Sequence, residues 1–181
     1  MATGSRAVFL DRDGVINRDT GYCYRPDQVE FLPGTLETVA RLVGLGYRPV
    51  IVTNQSGIAR GYYTEADFHA LMDWMGQQMA AAGAAPAGIY YCPHHPDEDG
   101  PHGGPCDCRK PLPGMIRQAA AELDLDPAAS LLIGDSERDV EAGRAAGVGL
   151  NVLLADPPPA ETAADAVLPD LTDPERLLAL L

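Results

Sequence analysis

Lysine is nearly absent from this 181-residue chain: Lys110 stands alone beside 12 arginines, and these 13 bases face 26 acids, a formal net charge of −13. That shortage of positive charge speaks against broad neutralisation of a nucleic-acid backbone and against docking on an anionic membrane. Long hydrophobic runs are missing too. The longest candidate, Met79 to Tyr91, is broken by Gly83, Pro86 and Gly88, and none approaches the ~20 residues of a membrane span. Near the start, Ala7 to Leu10 runs straight into Asp11-Arg12-Asp13, too short for the core of a signal peptide. A cytoplasmic protein with reduced cysteines is therefore expected. Cysteine is sparse, yet three of the four lie close together at 92, 106 and 108, which points to metal rather than to disulfides. Cys23 stands apart and reads as a free thiol, or else as a reactive or substrate-facing one.

What is present is globular. At 46% hydrophobic and 22% charged, the chain has the make-up of one folded domain over 1–181. No interface patch stands out, so a monomer is expected. Arg6 to Leu10 is a short apolar run that stops at acids, like a buried parallel strand. Helical spacing over Thr35 to Leu45 ends at Gly46, and Pro49 to Val52 gives a second strand that leads into Thr53-Asn54. Thr64 reads as the N-cap of a helix running to about Ala82, followed by a strand at Ile89 to Tyr91. Further helices are expected at Gly114–Leu125, Asp139–Ala146 and from Pro174, and strands at Leu131–Asp135, Gly149–Leu154 and Ala166–Leu168. This alternation predicts an α/β fold with a doubly wound, Rossmann-like parallel sheet. Ligands of such sheets gather beyond the carboxyl ends of the strands, where Asp11, Asp13, Thr53, Asn54 and Asp135 converge.

Two carboxylates one residue apart past a buried strand can act as nucleophile and as acid, and can share a magnesium ion; Asp13-Gly14 is equally a turn signal. Thr53 and Asn54 offer a hydroxyl and an amide to phosphate oxygens. Lys110, a compact point charge in a chain that otherwise uses arginine, suits a transferring phosphoryl group. Asp135 brings a third carboxylate, and three such groups repel unless a cation joins them. Asp139 caps a helix or supports this cluster. The segment 92–108 holds almost no hydrophobic side chains with which to order itself. Cys92, His94, Cys106 and Cys108 supply three thiolates and an imidazole, a full tetrahedral set for structural zinc, with His95 or His102 as alternatives to His94.

In order, Phe9-Leu10-Asp11-Arg12-Asp13-Gly14, Val52-Thr53-Asn54-Gln55, Lys110-Pro111 and Ile133-Gly134-Asp135 with Asp139 resemble the motifs of the haloacid dehalogenase superfamily, over about residues 6 to 155. The resemblance implies that Asp11 is the nucleophile of an aspartyl-phosphate mechanism and Asp13 the acid and base. It implies Mg²⁺ held by Asp11, Asp135 and the carbonyl of Asp13, with Thr53, Asn54 and Lys110 about the phosphoryl oxygens. Asp139 would orient the loop or Lys110.

Longer strings are similar to the D-glycero-D-manno-heptose 1,7-bisphosphate phosphatases and the related histidinol-phosphate phosphatases. They are Asp11 to Asn17, Asp19-x-Gly21-Tyr22, Thr53 to Gly61, Tyr90 to Pro96 and Cys106-x-Cys108-Arg109-Lys110-Pro111. That resemblance implies removal of the C7 phosphate of a heptose bisphosphate on the way to bacterial surface polysaccharide, and a small phosphorylated sugar as the partner. Contacts would come from Asp19, Thr20, Gly21, Tyr22, Thr53, Asn54, Gln55, Ser56, Arg109 and Lys110. The chain has no room for a large cap domain. Ser136 departs from those relatives that carry a base directly after the fourth-motif aspartate. Arg60 is either a loop anchor or a substrate-facing charge.

Overall fold

The computed structural model describes residues 4–181. Six strands form one sheet: β1 (Ala7–Leu10), β2 (Arg48–Asn54), β3 (Gly88–Cys92), β4 (Leu131–Gly134), β5 (Leu150–Leu154) and β6 (Ala166–Leu168). They lie in the order β3-β2-β1-β4-β5-β6, and every neighbouring pair is parallel. This is the doubly wound sheet expected, without a large cap. The chain reverses its winding between β1 and β4, and a crevice opens at such a reversal beyond the carboxyl ends.

Strand periodicity assigns the core to two faces. Val8 and Leu10 of β1 join Ile51, Ile133 and Val152 beneath α1 (Thr35–Gly44) and α3 (Glu65–Ala81). Ala7 and Phe9 join Val50, Val52 and Leu132 on the other face, under α4 (Gly114–Leu123) and α5 (Glu137–Ala146). Side chains alternate at each residue, so four consecutive apolar residues in β1 serve both faces. On α3, Phe68, Leu71, Met72, Met75 and Met79 are all buried. Thr64 caps that helix as expected: its Oγ1 accepts from the Asp67 N–H at 3.1 Å, and Asp67 accepts from the Thr64 N–H at 2.8 Å.

Several boundaries differ from the sequence reading. The helix expected to reach Leu125 stops at Leu123, because Asp124 turns left-handed with φ 51°. The helix expected from Asp139 begins at Glu137, with Ser136 as its N-cap. A four-residue helix, α2 (Ser56–Ala59), follows β2 where only a motif was read; it is too short to show a periodicity. A last helix, α6 (Pro174–Leu178), ends the fold. Between β1 and α1 the chain is anchored by buried Val15, Ile16 and Cys23. Cys23 is 1% exposed, which excludes the substrate-facing alternative. No helix among the described residues is long and apolar enough to cross a membrane.

Candidate active site and metal loop

The strand register brings the chemistry together. Leu10 pairs with Ile133, and the Asp11 N–H donates to the Ile133 carbonyl at 3.1 Å, so Asp11 and Asp135 follow neighbouring strands. Lys110 reaches this point from the other face. It is 3% exposed, and its Nζ lies 2.9 Å from Asp11 Oδ1 and 2.6 Å from Asp139 Oδ1, while also donating to the Val52 carbonyl at 2.8 Å. Burial works against its charge, but the carboxylates of Asp11 and Asp139 outweigh that and hold its pKa above the usual value.

Asp11 Oδ1 also accepts from the Arg12 N–H at 2.7 Å, so its protein contacts fall on Oδ1 and Oδ2 is free of donors. Burial, reinforced by Asp139 and Asp135 against the pull of Lys110, pushes Asp11 up to about 7. Burial and the Asp139 charge push Asp135 up to about 6. Both carboxyls thus resist ionisation unless a further cation is added. Carboxylate oxygens of Asp11, Asp135 and Asp139 lie within 4.8 Å of one another, and oxygen donors of this kind suit Mg²⁺. Asp139 is already committed, however. Its Oδ1 faces Lys110, and its Oδ2 accepts from the Asp135 N–H, the Ser136 N–H and the Ser136 hydroxyl at 2.9–3.2 Å. Asp11 and Asp135 are the carboxylates with oxygen to spare. The carbonyl of Asp13 accepts no backbone hydrogen bond.

Asp13 is held in a clamp. Arg12, 1% exposed, meets it at 2.9 Å to each oxygen and at 3.2 Å from Nε. Asn17 donates to Oδ1 at 3.0 Å and Gln55 to Oδ2 at 3.2 Å. Gln55 is itself held by Tyr63, whose hydroxyl donates to its Oε1 at 2.5 Å. Sequence reasoning missed Arg12 and Tyr63. A base between two acids at a strand end was the available signal for Arg12; nothing local marked Tyr63.

A cavity of about 390 Å³ opens over these groups. Of the residues predicted from sequence, Asp11, Asp13, Asp19, Gly21, Tyr22, Asn54, Gln55, Ser56, Arg109, Lys110 and Asp135 line it, joined by Tyr63, Ser136, Arg138 and Asp139. Thr20 and Thr53 do not. Thr20 is exposed on its loop, and Thr53 is buried with its hydroxyl accepting from Gln55 at 2.8 Å. Asn54 joins two segments, donating to the Lys110 carbonyl at 3.1 Å and accepting from the Lys110 N–H at 3.0 Å.

The cysteine loop leaves β3 beside Asn54 and returns at Arg109-Lys110. Donor atoms of Cys92, His94, Cys106 and Cys108 lie within 4.8 Å of one another. His94 Nδ1 stands 3.3 Å from Cys108 Sγ and 3.7 Å from Cys92 Sγ; Cys92 Sγ is 3.7 Å from Cys106 Sγ and 3.0 Å from Cys108 Sγ. A zinc tetrahedron needs donor separations of roughly 3.5–3.8 Å, so the set fits with small shifts. The hydrogen bond between Cys92 and Cys108 lowers the Cys108 thiol to about 5 and raises that of Cys92. The other histidines face elsewhere. His95 meets Arg60 at 3.2 Å, and His102 lies 3.7 Å from Glu65. Arg60 also pairs with Glu98 at 3.4 Å, which makes it an anchor of this loop.

A sheet that reverses at a carboxylate cluster, with a buried lysine and a clamped second aspartate, defines a phosphoryl-transfer site. The chain belongs to the haloacid dehalogenase-like hydrolases, whose family model matches residues 6–147. It is 44% identical over 181 residues to D-glycero-beta-D-manno-heptose-1,7-bisphosphate 7-phosphatase of Haemophilus influenzae, covering 98% of both chains. To the alpha-named enzyme of Burkholderia mallei it is 50% identical over 153 residues, 84% of this chain and 81% of that one. Its fold is similar to the crystal structure of D,D-heptose 1,7-bisphosphate phosphatase from B. bronchiseptica complexed with magnesium and phosphate. The TM-score is 0.82 at 37% identity, over 97% of this chain and 99% of the other.

Proposed function

We propose that this chain is a Mg²⁺-dependent phosphomonoesterase that removes the C7 phosphate of D-glycero-D-manno-heptose 1,7-bisphosphate. The observation that carries the reading is the buried Lys110 bridging Asp11 and Asp139 at the mouth of the cavity, in a chain whose full-length relatives bear that activity's name. Asp11 and Asp135, with the carbonyl of Asp13, would hold Mg²⁺, which when bound neutralises charge on the phosphoryl oxygens and on the attacking carboxylate.

The unengaged Oδ2 of Asp11 attacks phosphorus, forming an Asp11–O–P bond while the bond from phosphorus to the sugar O7 breaks. Asp13, protonated, gives its proton to the departing O7. It then takes a proton from water as the water oxygen bonds phosphorus, releasing phosphate and restoring Asp11. Arg12, Asn17 and Gln55 hold the Asp13 side chain in place for both proton transfers. Lys110 sets its buried positive charge beside the phosphoryl oxygens, and Asn54 donates with the Nδ2 hydrogen left over from its bond to the Lys110 carbonyl. Cys92, His94, Cys106 and Cys108 would hold a structural zinc that fixes Arg109 and Lys110 at the site, since chain segment 108–110 joins the two directly.

The test is phosphate release from the α and β heptose bisphosphates beside histidinol phosphate, with Asp11→Asn in parallel. A preference for a heptose bisphosphate, lost by at least about 10⁴-fold in Asp11→Asn, is expected. A large preference for histidinol phosphate would sink the substrate reading, and an active Asp11→Asn the mechanism.

A further inference from the structure

Eleven of the twelve arginines give a guanidinium contact to an acid or a backbone carbonyl. Among the described residues Arg138, an exposed side chain, alone has neither, in a chain with twice as many acids as bases. It is the second residue of α5, at the end where the helix dipole disfavours a cation. Its neighbours offer no relief. Glu137 accepts from the Thr162 hydroxyl and the Ala163 N–H, and Asp139 is bound to Lys110. Yet Arg138 lines the same cavity as the nucleophile. An unpaired guanidinium in an unfavourable field beside an active site suits an anion that arrives with the substrate.

A single transferring phosphoryl group would be served by Lys110 and by the Mg²⁺ that Asp11 and Asp135 would hold in the reading above. Arg109, whose one contact is to the His94 carbonyl at 3.3 Å, and Arg138 are cations in excess of that need, brought to one rim from the metal loop and from α5. We infer that Arg138, together with Arg109, grips the second, non-reacting phosphate of the substrate. It thereby supplies from two residues further along the charge that Ser136 does not. This rests on the bisphosphate reading above.

The experiment compares kcat/KM for heptose 1,7-bisphosphate and heptose 7-phosphate in the wild type, Arg138→Ala, Arg138→Lys and Arg176→Ala. The last removes the same charge from α6, outside the cavity. The wild type is expected to favour the bisphosphate. Arg138→Ala should cut that ratio about tenfold through KM, Arg138→Lys should restore part of it, and Arg176→Ala should leave it alone. A wild type without preference for the bisphosphate would overturn the substrate reading and this one with it. A preference that survives Arg138→Ala, or falls equally in Arg176→Ala, would overturn the assignment of Arg138 alone.

Discussion

Replacing Lys110 with methionine keeps the length of the side chain and removes its charge. The ammonium is 3% exposed and touches Asp11, Asp139 and the Val52 carbonyl. With all three carboxylates ionised, Asp11, Asp135, Asp139 and Lys110 leave two negative charges, which one divalent cation balances. Without Lys110 the balance fails even when the ion is bound. Removing one partner of a buried pair costs about 3–5 kcal/mol. At about 2–4 °C per kcal/mol for a chain of this size, Lys110→Met should melt roughly 6–20 °C lower near pH 8. The loss should shrink near pH 5.5, because a proton on Asp11, already raised to about 7, can then take the place of the ammonium there.

Activity should fall by about 10²–10³ or more, the scale set by loss of one positioned donor to transition-state charge. Lys110→Arg should not rescue, since a planar guanidinium cannot occupy a slot shaped for a compact ammonium. Calorimetry at the two pH values and initial rates at saturating magnesium are the assays. A variant that melts within 2 °C of the wild type at pH 8, or keeps a tenth of its kcat, would refute the charge argument.

Four further outcomes follow from the same geometry. Magnesium should bind about ten- to twentyfold more weakly at pH 6 than at pH 8, because Asp11 at about 7 and Asp135 at about 6 must lose protons first. The same raised values make the metal-free fold lose stability from these two groups as pH climbs from 4 through 7, so calorimetry should show magnesium stabilising most above that window. Stripping zinc while leaving magnesium should lower kcat and melting temperature together by disordering 92–108 and freeing Arg109-Lys110; a zinc-free preparation with full activity would contradict the coupling. Gly14→Ala should weaken magnesium binding measured by titration. Gly14 has φ +85°, and a Cβ there would sit 1.9 Å from Asp135 Oδ2, so Asp135 must move; unchanged affinity would argue against Asp135 as a ligand.

The centre of the sheet was legible because β1, β2 and β4 each announce themselves twice, by an apolar run and by the polar group at its end. Val8 to Leu10 ending at Asp11, and Leu131 to Gly134 ending at Asp135, fix both the strands and the edge where ligands collect. The Thr64 cap was visible for a like reason, since what it caps lies within one turn; its partner Asp67 came from the structure. What stayed hidden depends on contacts distant in sequence. Tyr63 matters through Gln55, and Arg12 through the Cys23 carbonyl as well as its neighbour Asp13. Thr53 reads as a donor to phosphate by its motif; in the fold it is buried and its hydroxyl oxygen also accepts from Gln55 two residues on, a contact the motif does not announce. Spacing reports which residues reach a site and not which of their atoms are already engaged.

The same distinction explains how so acidic a chain accommodates an anionic substrate. Net charge is summed over a surface, whereas recognition is decided within about a Debye length, some 8–10 Å at ordinary salt. Within the cavity Asp13 is paired with Arg12 and Asp139 with Lys110, while Asp11 is shared between Lys110 and the place for a metal. Asp135 faces that same place, which leaves Asp19 as the lining acid with no cation assigned to it. Arg109 and Arg138 remain uncommitted to any acid. A scaffold that leaves its surface acidic and pairs off its acids at the mouth can repel polyanions at long range and still hold a small bisphosphate. That arrangement yields one check independent of mutagenesis: inhibition by inorganic phosphate should weaken as salt rises, but far less steeply than for a polyphosphate chain, which must also cross the outer acidic field. Equal salt dependence for the two inhibitors would show that the site is not electrostatically distinct from the surface around it.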